Sequence, residues 1–324
     1  MEDAKIVVIG GGTGLSIILR GLKKISSSIT AIVTVADDGG GSGVLREDLG
    51  MLPPGDIRAC LIALSDVEPI LEELFNYRFE NGNLKGQSFG NLMIAAMVGI
   101  SKDFNDAVLK VGEIIAINGR VLPVTIENVH LMAKLENGLY VKGESKIPYE
   151  VLKNKSRIES IDIIPGRPDP TVGVLEAIEE ADLIIVGPGS LYTSIIPNLL
   201  VNNMADTIKR SRGKVAYISN LMTQPGESDN YSLSEHLKVI EEHIGENIFD
   251  YVLANNVNLD KETKEKYKFE KSMQVKIESK DRQFLSKREI ELIEGKYFEI
   301  VKHYCRHDVE ILADVIQKNI LQYL

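Results

Sequence analysis

Two glycine-rich segments and one pair of adjacent carboxylates carry most of the chemistry in this sequence. Gly10-Gly11-Gly12-Thr13-Gly14 follows an apolar run at 5–9 and precedes a segment in which Leu15, Ile18, Leu19 and Leu22 recur at helical spacing. A strand, a tight turn and a helix start joined this way put unpaired backbone N–H groups and the positive end of a helix dipole at one point, which suits phosphate. Gly11, Gly12, Thr13 and Gly14 are therefore candidate phosphate contacts. Leu15 stands where GxGxxG needs its last glycine, and no GK[ST] ending follows, so neither the strict dinucleotide fingerprint nor a Walker loop is present. A packing turn without a ligand is the plain alternative.

The run at 183–186 exits through Gly187-Pro188-Gly189 into Ser190 and Thr193, a second strand, turn and helix start. Asn220, with Thr223 and Gln224, follows another apolar run and belongs at the same sheet edge. Two such turns facing one another suit an extended diphosphate better than one small anion. Asp37 and Asp38 sit in the glycine-rich stretch 34–43 with Gly39 and Gly40. They could accept from a ribose or hold Mg²⁺ beside a diphosphate; a solvated Asp-Gly turn is the alternative. Arg58, after a diproline, offers a planar donor fork, and Arg46 lies nearby in sequence. Ser88 and Asn91 open an apolar helix at 91–99, where they could contact a ligand or only cap. No GxSxG or HExxH occurs, and His130, His236 and His243 read as surface or core residues.

These residues need a scaffold. Apolar runs bounded by glycine alternate with segments of 3.6-residue period, which predicts a Rossmann-like, three-layer α/β/α fold with a mainly parallel sheet. Strands are expected at 29–35, 183–186, 215–219 and 251–254, and helices at 68–79, 233–244 and 308–324. The apolar composition of 91–99 predicts a helix buried on all sides. Between 119 and 165 the texture becomes β-rich, with strands at 121–125, 129–135 and 139–143 and an Asn137-Gly138 turn, so the chain reads as one domain over 1–324 carrying an insertion. The charge-dense stretch 261–271 reads as a solvated helix.

With 37 basic against 47 acidic residues the net charge is −10, and no basic arm is present, which argues against nucleic acid. No apolar run is long enough to cross a membrane, and Cys60 and Cys305 lack metal-ligand or disulfide spacing, so a cytoplasmic protein without membrane insertion is expected.

Taken together, GGGTGLS, TVADDGG, PPGDIR, SFGNL, VGPGSLYTSIIPNLLV and MTQPGESD resemble the YvcK-like gluconeogenesis-factor family, relatives of 2-phospho-L-lactate transferase (CofD-like), over essentially the whole chain. The resemblance implies a cytoplasmic bacterial protein that binds a UDP-sugar, notably UDP-N-acetylglucosamine. It also implies a role in cell shape and wall synthesis during gluconeogenic growth, a wall-synthesis protein partner and a homo-oligomer. It places Tyr267, in a Lys-Tyr segment, and Arg306, before His-Asp, in sugar-nucleotide binding. If the transferase chemistry of the relatives applies, Asp37 and Asp38 match its Mg²⁺-holding acidic pair as catalytic residues. The sequence departs from the family pattern at Gly41, Gln87 and Ala59, each in place of a more polar or ionisable residue.

Overall fold

In the computed structural model, which describes residues 3–66 and 69–324, the first apolar run forms β1 (Ile6–Gly10), buried throughout. The glycine turn feeds it into α1 (Gly12–Leu22), which buries Leu15, Ile18, Leu19 and Leu22 as the period requires. β2 (Ile29–Val33) is again fully buried, and α2 (Gly40–Leu49) and α3 (Gly55–Leu64) follow. The helix expected at 68–79 appears as α4 (Pro69–Asn76), with proline in its first turn; Glu68 lies outside the described residues. α5 (Phe89–Val98) corrects an expectation. It is not buried all round: Gly90, Asn91 and Ile94 are buried, and Ile100 just beyond is 76% exposed. The helix packs on α3, α4 and the helix Phe104–Ile114 with one side only.

β3 (Arg120–Pro123) is a second correction. It does not open the insertion but pairs parallel with β2, Ala31 opposite Val121, as the edge of the main sheet. The inserted part is the antiparallel sheet of β4 (His130–Leu135), β5 (Tyr140–Lys142) and β6 (Ile158–Ile164), in the order β5-β4-β6. β4 alternates half-buried and buried residues, and Gly138, at φ +87°, makes the turn while the Asn137 side chain accepts from Leu139 N–H.

Parallel strands resume with β7 (Leu183–Val186), β8 (Lys214–Ile218), β9 (Tyr251–Asn255) and β10 (Glu291–Gly295), and a terminal hairpin pairs β11 (Phe298–Val301) with β12 (Tyr304–His307). The main sheet is parallel throughout, in the order β10-β9-β8-β7-β1-β2-β3, and helices flank it. Its buried strands read as continuous apolar runs because both faces are covered. The chain leaves β1 toward β2 on one side and continues through β7 on the other, so the strand order reverses between β1 and β7. A crevice must open at their carboxyl ends, because the connecting helices leave in opposite directions. No helix among the described residues is long and apolar enough to cross a membrane.

Candidate functional site

A cleft of about 330 Å³ lies at that reversal. One wall is Gly11, Gly12, Thr13 and Gly14; the opposite wall is Pro188, Gly189 and Ser190; Asn220, Tyr267, Cys305, Arg306 and His307 close the far side. The two turns touch. A Cβ on Gly14 would lie 2.6 Å from the Pro188 carbonyl oxygen, and Gly12 sits at φ +66°, so glycine is required at both positions.

The polar groups divide into those that build the cleft and those left open. Asn220 clamps the second turn, donating to Gly189 O at 2.8 Å and accepting from Gly189 N–H at 3.2 Å. Gln224 donates to Ser190 Oγ at 2.7 Å, so the Ser190 proton stays free for a ligand. Tyr267, on the helix Lys261–Phe269, accepts the Cys305 N–H at 2.9 Å and keeps its own proton to donate. That contact ties the helix to β12, which carries Arg306. Arg306 is exposed and has no ion-pair or hydrogen-bond partner among the described residues. His307 Nε2 donates to Ser219 O at 3.1 Å, since a carbonyl only accepts, and burial lowers its pKa to about 4. It is a neutral imidazole at neutral pH. Burial pushes the Cys305 thiol up to about 12, which leaves no thiolate nucleophile there.

Among the described residues no Asp or Glu lines this cleft, although the chain carries ten excess negative charges. The acids stand behind it. Asp56 Oδ2 accepts Gly12 N–H at 2.6 Å, filling one of the α1 N-terminal donors from the rear, and burial raises its pKa to about 6. Glu227 is fully buried against the start of the segment Leu191–Ile195, accepts from Thr193 Oγ1 at 3.3 Å, and has its pKa raised to about 7 by burial. Glu144, from the insertion, is raised to about 7 by burial and by the charge of Asp37, then by Glu227, Asp38 and Asp56. Asp56, Glu144 and Glu227 converge from positions far apart in sequence, and only the GDIR segment around Asp56 offered any local signal of it.

The sequence candidates therefore separate. Gly11, Gly12, Thr13, Gly14, Gly189, Ser190, Asn220, Tyr267 and Arg306 meet in the cleft, and His307 joins them unforeseen, beside Arg306. The remaining candidates lie outside the cleft lining. Gly187, at φ +79°, donates to Ile9 O and shapes the turn without lining it. Thr193 is buried on Glu227. Arg58 donates to Phe75 O and Asn76 Oδ1 and so holds the end of α4. Ser88 is fully buried and caps α5 by accepting Asn91 N–H, the capping alternative; Asn91 is buried beside it. Gly39 is the N-cap of α2, its N–H given to Asp37 Oδ1 at 2.8 Å, and Gly40 begins that helix at φ +48°. Arg46 is buried against Asn128 and Val129 O and is likewise structural.

Asp37 and Asp38 point to different tasks. Asp38 Oδ1 accepts Ser145 N–H at 2.9 Å and anchors the insertion, while Asp37 Oδ2 faces Gly55 beside Asp56. Among the described residues no three acidic, histidine or cysteine side chains group closely enough to hold a metal. Mg²⁺ needs only one or two carboxylates beside a substrate's phosphates; Asp38 is engaged by Ser145 N–H, which leaves Asp37 Oδ2 as the freer of the two for such an ion.

Comparison with known proteins agrees in extent. The family model described as 2-phospho-L-lactate transferase CofD matches residues 6–298. Relatives named as gluconeogenesis factors, the first two provisionally, come from Clostridium acetobutylicum (51% identical, 99% of this chain and 70% of that one), Thermoanaerobacterium thermosulfurigenes (53%, 98% and 97%) and Bacillus subtilis (44%, 97% and 98%). A crystal structure of a Bacillus halodurans protein is 42% identical and superposes with a TM-score of 0.93 over 98% of this chain and all of that one.

Proposed function

The chain belongs to the CofD family, with the gluconeogenesis factors, and from that premise we propose that it is a nucleotide-sugar-binding regulatory protein, with UDP-N-acetylglucosamine as the ligand. One observation carries the reading: an acid-free cleft at the strand reversal presents the open N-terminus of α1, the unpaired Arg306 and the hydroxyl of Tyr267 to one volume. The Thr13 and Gly14 amides and the α1 dipole suit a diphosphate, which Arg306 can fork onto from across the cleft. Tyr267 supplies a ring face and a donor for base or sugar. A neutral His307 adds no charge to compete for the anion.

Binding is favoured over catalysis because the cleft holds no general base near the expected phosphates and no activated nucleophile. The ligand is then a signal of wall-precursor supply, passed in the cytoplasm to a wall-synthesis partner during gluconeogenic growth. Calorimetry tests the first step. UDP-N-acetylglucosamine should bind with Kd below about 100 µM, and no heat at high micromolar concentration rejects the proposal.

The transferase alternative retains one supporting feature, Asp37 Oδ2, which faces Gly55 beside Asp56. It predicts metal-dependent turnover of a nucleotide-diphosphate donor that Asp37→Asn abolishes without unfolding the chain. Absence of turnover with Mg²⁺ present removes it.

A further inference from the structure

A second cleft, of about 420 Å³, backs onto the first and shares Met222 and Tyr267 with it. Between the two runs a backbone bridge, Met222 opposite Gln274, reinforced by Thr223 N–H to Met273 O and Val275 N–H to Leu221 O. The second cleft has the opposite charge character to the molecule around it. Lys264, Lys268, Lys276 and Lys280 line it against one acid, Glu278, which already pairs with Lys280 at 3.4 Å. Lys264 and Lys268 are four apart and share a face of the helix Lys261–Phe269, whereas Glu262 and Glu265 of that helix lie outside the cleft. The face of this helix turned to the cleft carries lysine without acid, while Lys261, Glu262, Glu265 and Lys266 lie outside it. The side chains of Lys264, Lys268 and Lys276 have no carboxylate partner among the described residues.

Two neutral polar side chains of the lining are already engaged. Ser272 donates to Thr223 O at 2.5 Å, and Gln274 binds Val257 O and Leu259 N–H. The charged donors are the ammonium groups, beside the apolar and aromatic groups of Met222, Tyr231, Tyr267 and Met273. Lysines bind phosphate as point charges, and aromatic and thioether groups accept a flat apolar body. The volume falls in the range of small-molecule sites.

We propose that this lysine cleft is a second binding site, for a phosphorylated small molecule carrying an aromatic or apolar group, distinct from the site at the strand reversal. The test is titration of the full chain with ATP, without Mg²⁺, in saturating UDP-N-acetylglucosamine. ATP should still bind, more tightly than inorganic tripolyphosphate. The double variant Lys276→Glu/Lys280→Glu should weaken ATP roughly tenfold or more and leave UDP-N-acetylglucosamine within about twofold. Lys264→Ala/Lys268→Ala repeats the test with a milder change, and thermal melts check that both variants fold.

Four results overturn the proposal: no ATP binding up to about 5 mM, indifference to both lysine variants, equal affinity for tripolyphosphate, or displacement by UDP-N-acetylglucosamine. The last would make the two clefts one site. If UDP-N-acetylglucosamine itself fails to bind, the ATP titration and its lysine dependence still read the second site alone.

Discussion

Asp56 and Glu227 occupy backbone positions where an anion would otherwise settle, one behind the first turn and one behind the second. Each is costly when ionised, because burial outweighs the hydrogen bonds it receives, so each takes up protons more readily in the folded chain than in the unfolded one. For Glu227 the folded pKa of about 7 lies above its usual 4.5, so between those values the folded state binds more protons. Stability must then fall as pH rises through that window. Several histidines have lowered values and pull the other way, so the clean reading is a difference. Glu227→Gln, which mimics the protonated acid, should be nearly neutral at pH 5 and gain about 2 kcal/mol over the wild type by pH 8. Urea midpoints measure it, and a variant weakened more at pH 8 than at pH 5 contradicts it. Arg306 makes the opposite kind of contribution. Its guanidinium has no ion-pair or hydrogen-bond partner among the described residues, so Arg306→Ala should leave the melting temperature within about 1 °C while weakening UDP-N-acetylglucosamine roughly tenfold to a hundredfold. A large loss of stability with unchanged affinity would make the arginine structural.

At the level of elements, the site depends on how closely two turns approach. Gly14 gives way to the Pro188 carbonyl, and Asn220 holds Gly189 from below. Gly14→Ala must push β1 and β7 exits apart against backbone atoms, at a cost of about 2 kcal/mol, and should abolish ligand binding at 25 °C; a variant that binds normally shows that the turns can separate freely. The same elements explain what the sequence could reveal. The glycine turn, α1, β7 and the Asn137-Gly138 hairpin were legible because local chemistry decides them: φ > 0, a 3.6-residue stripe, a short apolar run. β3 was misassigned because the four-residue strand Arg120–Pro123 directly precedes the β-rich stretch, and nothing local to it marks which sheet it joins. β10, β11 and β12 went unseen because Glu291, Glu294, Glu299 and Arg306 break any apolar periodicity. Arg58, Ser88 and Asn91 lie outside the cleft lining because sequence proximity to a loop says nothing about which side of a helix faces it. Tyr267 and Arg306 came from family resemblance; no spacing predicts that a helix and a hairpin 38 residues apart will be joined by Cys305 N–H on a tyrosine oxygen.

On the scale of the whole molecule, a net charge of −10 surrounds two places that want an anion. The excess negative charge repels itself in the compact state and also opposes the approach of a diphosphate. These two effects respond differently to salt. Raising ionic strength from about 0.01 to about 0.1 M shortens the Debye length from roughly 30 to roughly 10 Å. Long-range self-repulsion is then screened, whereas the surface ion pairs, such as Lys5 with Glu180, are individually worth little and lose little. The fold should therefore become more stable, by about 0.5 kcal/mol. At the first cleft the same ions screen both the long-range repulsion and the shorter-range attraction of Arg306 and the α1 dipole, so UDP-N-acetylglucosamine affinity should stay within about twofold. The lysine cleft, with four cations, should lose more affinity for ATP than the first cleft loses for its ligand over the same range. Urea midpoints and calorimetry at the two ionic strengths read all three quantities on one preparation. Stability falling with salt, or the single-arginine cleft showing the steeper dependence, would mean that the charge distribution acts differently from the way its geometry implies.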